Sequence, residues 1–133
     1  MTQFHLQIVT PDGLVFDGMA DSILVRADLG EIEIMKNHVD YFAALGIGRA
    51  KLVVDGKESL ASAAGGFVSV KGGEVKLICT TFEFKDNIDV ERAIAAKEKA
   101  ENAIKNANDD KAITIAKAKL ARAINRINVA QMK

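Results

Sequence analysis

The chain has 133 residues, of which 49% are hydrophobic, only 5% are aromatic and none is Trp. One ordinary domain, or a small domain with an appendage, is the size allowed, and its core must rest on Val, Ile, Leu and Ala. Eighteen Lys/Arg balance eighteen Asp/Glu, which excludes bulk nucleic-acid binding, because that requires a basic footprint to displace counterions. The single cysteine, Cys79, excludes an internal disulfide and fits a reducing compartment.

The first part of the chain reads in short alternating runs broken by turn residues. Phe4, Leu6 and Ile8 alternate with His5, Gln7 and Val9 before Thr10-Pro11-Asp12-Gly13 turns the chain. Strand-like runs follow at Ser22–Ala27, Glu31–Met35, Arg49–Val54, Ser59–Ala63, Phe67–Val70 and Val75–Phe82. Asp55-Gly56 and Gly72-Gly73 separate pairs of these runs as tight hairpin turns do. Many short strands with antiparallel connections predict a β-sandwich or barrel.

From Asp89 the period changes. Ala93, Ala96, Ala100, Ala103 and Ala107 recur at steps of three and four. After a polar break at Asn106–Asp110, Ile113, Ala116, Leu120, Ala123, Ile127 and Ala130 do the same. Two helices with narrow seams and a short connection predict an antiparallel hairpin. Asp89 caps the first helix, and Asp109 or Asp110 the second. The expected fold is α+β: an N-terminal antiparallel β-sandwich over residues 1–85, then a C-terminal two-helix antiparallel hairpin over 86–133. Small-residue seams bury little area, at about 25 cal/mol per Å², so the hairpin is marginal alone and suited to be a moving part.

Charge divides along the same boundary. Asp110 is the last acid, and Lys111, Lys117, Lys119, Arg122, Arg126 and Lys133 follow it. Lys119, Arg122 and Arg126 share one helical face with no carboxylate three or four residues away. Folding the hairpin brings this face near Arg92, and guanidinium forks suit phosphate oxygens. A solvated face, a complement to the helix dipole and an acidic protein partner are the competing uses.

Other chemistry is scarce. His5 and His38 have no metal-ligand spacing with Cys79 or with each other. No phosphate-binding glycine signature, nucleophile–base pair or carboxylate pair is present, so a non-catalytic protein is expected. The N-terminus lacks a basic-then-apolar secretory pattern and no apolar stretch approaches bilayer length. A soluble chain without direct membrane insertion is therefore expected, meeting a membrane only through partners.

Val9-Thr10-Pro11-Asp12-Gly13, Gly30-Glu31, Gly65-Gly66-Phe67-Val68 and the ending Asn125-Arg126-Ile127-Asn128-Val129-Ala130 resemble the epsilon subunits of bacterial and chloroplast F-type ATP synthases over the whole chain. The resemblance implies a ten-stranded sandwich that docks on the gamma subunit and the membrane rotor ring of c subunits. It also implies a helical arm that either lies folded or extends into the catalytic head of alpha and beta subunits, where it impedes ATP hydrolysis. The implied place is the cytoplasmic face of the bacterial membrane, as a peripheral part of the synthase.

In the loop that belongs to the rotor-ring face of relatives, Glu31 and His38 match the family, but both prolines and the second glycine of its pattern are missing from Ile32–Asp40. In some bacterial relatives, Bacillus-like ones included, the hairpin binds ATP through Ile/Leu-Asp-x-x-Arg-Ala, intact here as Ile88-Asp89-Val90-Glu91-Arg92-Ala93. Glu83, Arg122 and Arg126 match further positions of that site. Lys99 stands where tightly binding relatives carry Arg, which substitutes a point charge for a planar fork. The resemblance thus implies ATP as a regulatory ligand, with Mg²⁺ left open, and a beta-subunit contact through Lys119, Arg122 and Arg126. An arm indifferent to nucleotide, or a free-standing nucleotide sensor, are the alternatives.

Overall fold

The structure is a computed structural model that describes residues 3–132. The chain divides into two units, one ending at Phe84 and the other beginning at Lys85.

The first unit is ten strands: β1 (Phe4–Thr10), β2 (Gly13–Ala20), β3 (Ser22–Ala27), β4 (Gly30–Ile34), β5 (Tyr41–Ala44), β6 (Ile47–Val54), β7 (Lys57–Ala64), β8 (Phe67–Lys71), β9 (Glu74–Ile78) and β10 (Thr81–Phe84). They form two five-stranded sheets, in the orders β2-β1-β9-β8-β5 and β10-β7-β6-β3-β4. Alternation decides which side chains face inward, because successive residues of a strand point to opposite faces. Leu6 and Ile8 of β1, Val75 and Leu77 of β9 and Val68 of β8 are buried, as are Ile23, Val25 and Ile34 of the other sheet. Together they form the core between the sheets.

The pairings among described strands are antiparallel except for β1 with β9, which is parallel. The two hairpin turns read from sequence are present. Asp55 and Gly56 link the pair Val54↔Lys57, and Gly72 and Gly73 link Lys71↔Glu74. All four have positive φ, as the twist-matched two-residue turn requires.

Three strand features depart from the alternation. The run Val75–Phe82 is two strands: β9 ends at Ile78, and β10 begins at Thr81 in the other sheet. The inward phase slips at the crossing, since Val75, Leu77 and Cys79 are buried and then Phe82 is. Strands β2 and β5 carry Leu14, Met19 and Phe42 on exposed positions, so apolar-in, polar-out patterning does not mark them.

The second unit begins with a short 3-10 turn at Lys85–Asn87, followed by α1 (Val90–Lys105) and α2 (Asp110–Gln131). Asp89 caps α1, accepting a hydrogen bond from the Arg92 amide at 3.1 Å, and Asp109 caps α2, accepting from the Ala112 amide at 2.7 Å. Of the two acids before the second helix, Asp109 is therefore the cap. Ala93, Ala100, Ala116 and Ala123 are buried along the helix contact, but Ala103 is exposed and Ile104 takes its place on the seam. A period of 3.6 residues turns position 103 past the contact line and brings 104 closer to it. Lys85 Nζ donates to the Met132 carbonyl, joining the two ends of this unit.

Candidate functional site

The hairpin arranges its cations by simple helix geometry. At a rise of 1.5 Å per residue from the Asn106–Asp109 connection, Ala93 and Ala123 both stand about 20 Å away, at the same height. Arg92 and Arg122 each precede their buried alanine by one residue, an offset of about 100° around the helix. An antiparallel pair has a two-fold axis perpendicular to both helices. Positions offset alike from the seam therefore open to the same side. Arg92 and Arg122 thus share one side and one height across an interhelical spacing of about 8–10 Å.

The same construction places the other cations. Arg126, three residues beyond Ala123, lies on that side about one turn farther from the connection. Lys119, four residues before Ala123, lies about one turn nearer the connection, and Lys99, beside buried Ala100, about two turns nearer. The five form a stripe and not a ring around one point. Glu91, Glu98 and Glu101 of α1 are offset away from it, and Asp109 and Asp110 sit at the connection. Asp89 stands on the cationic side, with one carboxylate oxygen committed to its cap. Ile88 and Ala93 are buried, Arg92, Lys99 and Lys119 are exposed, and Arg122 and Arg126 are half-buried. Glu83 belongs to β10 in the sandwich unit, opposite Ser62 of β7.

In the sandwich, Glu31 of β4 is engaged by a forked ion pair. Arg49 donates through Nε to Oε2 at 2.8 Å and through Nη2 to Oε1 at 3.2 Å. The guanidinium holds the Glu31 carboxyl below its ordinary pKa, and Glu31 raises that of Arg49. The segment Met35–Asp40, without prolines, is tied by other means. Asn37 adopts φ 69°, a left-handed conformation Asn tolerates, and the His38 amide donates to the Met35 carbonyl at 3.2 Å. His38 Nδ1 lies 2.7 Å from the Val39 carbonyl, and its ring meets Tyr41 edge-on at 5.9 Å. Asp40 accepts from the Gly72 amide at 3.1 Å, fastening the segment to the β8–β9 turn.

A feature not foreseen from sequence lies on the outer face of the β2-β1-β9-β8-β5 sheet. Leu14, Val9, Ile78, Phe67 and Ala44 are successive partners across the five strands. Phe42 stacks on Phe67 with ring centroids 5.4 Å apart. Leu14, Ile78, Phe67 and Phe42 are 61%, 55%, 48% and 68% exposed, so this is a continuous apolar row open to contact. The signal was in the sequence only as apolar residues out of phase with their strands, which is uninformative until the pairing is known. Among the described residues no group of three or more His, Cys, Asp or Glu is placed to hold a metal ion.

Comparison with known proteins agrees over both units. The family described as "ATP synthase, Delta/Epsilon chain, beta-sandwich domain" matches residues 3–85, and "ATP synthase, Delta/Epsilon chain, long alpha-helix domain" matches residues 86–131. The ATP synthase epsilon chain of Bacillus velezensis is 39% identical over 130 residues, covering 98% of each chain. That of Bacillus licheniformis is 39% identical over 131 residues, covering 98% of this chain and all, 100%, of the relative. Among solved structures, a chain of the Euglena gracilis mitochondrial ATP synthase superposes with TM-score 0.79 at 21% identity, covering 92% of this chain and 78% of that one. A chain from the Tetrahymena thermophila central stalk and c-ring structure gives TM-score 0.70 at 14% identity, covering 96% of both. These two likenesses concern the fold. Sandwich, hairpin and sequence thus converge: the chain belongs to the ATP synthase delta/epsilon family, on the side of the bacterial epsilon chains.

Proposed function

We propose that the chain is a non-catalytic subunit of the central stalk of an F-type ATP synthase, whose hairpin is an ATP-sensitive arm restraining ATP hydrolysis. The observation that carries the arm is the cationic stripe. Arg92 and Arg122 stand level on one side of the hairpin, Lys119 and Arg126 flank them, and the acids of α1 turn away. A triphosphate laid along this side meets forked donors from both helices and ties them together. Ligand at a hundred times its Kd stabilises the binding-competent state by about 2.7 kcal/mol. That is enough to reset a hairpin whose seam is mostly alanine. With ATP scarce, the arm is released, and the same cations, Lys119, Arg122 and Arg126, meet an acidic surface of the catalytic beta subunit.

The apolar row supports docking of the sandwich on the gamma subunit, and the tied segment Met35–Asp40, with Glu31 nearby in sequence, supports contact with the c-subunit ring. No described helix is long and apolar enough to cross a membrane. Placement at the cytoplasmic face, through these partners, follows from the docking reading.

Calorimetric titration of ATP into the whole chain tests the arm. Binding is expected in wild type and weakened at least tenfold in Arg92→Ala and in Arg122→Ala. Absence of heat at millimolar ATP retires nucleotide gating and leaves an arm that addresses beta alone, a reading that Lys99, lacking the planar fork, favours.

A further inference from the structure

We propose that His5 is a proton-operated clasp holding the N-terminal hairpin β1–β2 to β9. The hairpin joins the rest of its sheet through the parallel β1–β9 seam, with pairs His5↔Glu74, Leu6↔Val75, Gln7↔Lys76, Ile8↔Leu77 and Val9↔Ile78. His5 stands at one end of that seam on the outer face. Its Nε2 lies 2.6 Å from Asp17 Oδ1 on β2, and its Nδ1 lies 2.5 Å from Glu74 Oε2 on β9. Gln7 Nε2 donates to the other Asp17 oxygen at 3.2 Å. One imidazole therefore links three strands.

The chemistry selects the protonation state. Ionised carboxylates only accept hydrogen bonds, and a neutral imidazole has a single N–H. With the ring neutral, one nitrogen lone pair would face a carboxylate oxygen at about hydrogen-bond distance. Both contacts are satisfied together only by imidazolium, at the short separations of charge-assisted bonds. A bridging metal does not explain the geometry, because the two ring nitrogens point in opposite directions to different carboxylates.

The groups facing the ring from the packed strands are Asp17 of β2, Glu74 and Lys76 of β9, and Lys71 of β8, the partner of Glu74. The two carboxylates outweigh the two lysines because they touch the ring. Hydrogen bonds to Asp17 and then Glu74 raise the pKa of His5 above 6.5, and the bond from His5 lowers that of Asp17 below 3.8. A raised histidine stabilises the fold below its ordinary pKa and loses that effect as pH rises through the folded value. A lowered aspartate contributes above its ordinary pKa and loses that as pH falls through its folded value. The His5–Asp17 link of the clasp is thus closed between 3.8 and 6.5 and opens beyond the shifted values on either side.

The seam it guards also carries Val9 and Ile78, the middle of the apolar row. Coupling between His5 protonation and partner binding rests on the docking reading; the clasp itself does not, and it is tested without any partner.

The experiment is a pH titration of the whole chain by imidazole ¹⁵N resonance, with amide exchange measured across the β1–β9 seam. His5→Gln assigns the signal. The expected midpoint for His5 lies above 6.5, and Asp17→Asn and Glu74→Gln each lower it. Protection of the seam amides is expected to fall severalfold as His5 deprotonates, and to remain independent of pH over that interval in His5→Gln. If that variant does not fold, the two carboxylate variants provide the same comparison. A midpoint at or below 6.5, a midpoint that neither carboxylate variant moves, or protection that ignores the titration each overturns the clasp. Gamma-subunit capture that does not follow His5 protonation, with these results intact, removes only the coupling to docking.

Discussion

Gly66, at the entry to β8, is where an added methyl group is expected to be least tolerated. A Cβ there would lie 1.8 Å from the Ile78 carbonyl oxygen, 2.8 Å from its carbon and 2.9 Å from the Cys79 Cα, all backbone atoms that no rotamer change can move. The residue also sits at φ 94°, a conformation L side chains rarely adopt. Holding a non-glycine residue there costs about 1–3 kcal/mol. Relieving the overlap requires the two segments to part by more than an ångström. Two backbone hydrogen bonds fall within that movement: Leu45 N to Gly66 O and Cys79 N to Val9 O, both 2.9 Å. At about 0.5–1.5 kcal/mol each for the two bonds, added to the backbone cost, the total is about 2–6 kcal/mol, a large part of the stability of an ordinary domain.

The control is Gly72→Ala, at φ 57° with nothing within 4 Å of the added Cβ, where only the left-handed backbone penalty of about 1–2 kcal/mol applies. With about 4–8 °C per kcal/mol for a domain of this size, Gly66→Ala should melt at least about 8 °C below wild type by circular dichroism. Gly72→Ala should remain nearer to wild type. If the two variants melt within about 3 °C of each other, steric closure at Gly66 is not what the structure implies.

Two other outcomes follow from burial and exposure. Cys79 is 2% exposed, and burial pushes its thiol pKa up to about 11; it should ignore an aromatic disulfide reagent at pH 8 in the native chain and react at once in denaturant. Replacing both Phe42 and Phe67 with Ser removes the stacked pair from the apolar row. Losing the ring pairing should cost about 0.5–1.5 kcal/mol beyond the modest area the two rings bury, while capture by the gamma subunit should weaken at least tenfold; unchanged capture would place docking elsewhere.

Much of this architecture is written in local patterns. The hairpin turns at Asp55-Gly56 and Gly72-Gly73, the cap at Asp89 and the change of period after it depend on neighbours a few residues apart, and a linear chain displays such neighbours. The boundary residues of the cationic side are local too, since Arg92, Lys99 and Arg122 are each defined by an offset from an alanine one position away. Other features depend on which strand lies beside which. The run from Val75 to Phe82 looks continuous until Ile78 and Thr81 are found in different sheets. Leu14, Ile78 and Phe67 become one row only through the β1–β2, β1–β9 and β8–β9 registers. His5 and Glu74 are 69 residues apart, and no spacing along the chain marks them as partners. Sequence alone determined the class of fold, the family, and the charge carried by each helix. Tertiary structure decided the outer face of the sheet, because strand pairing sets side chains together by register and not by their distance along the chain.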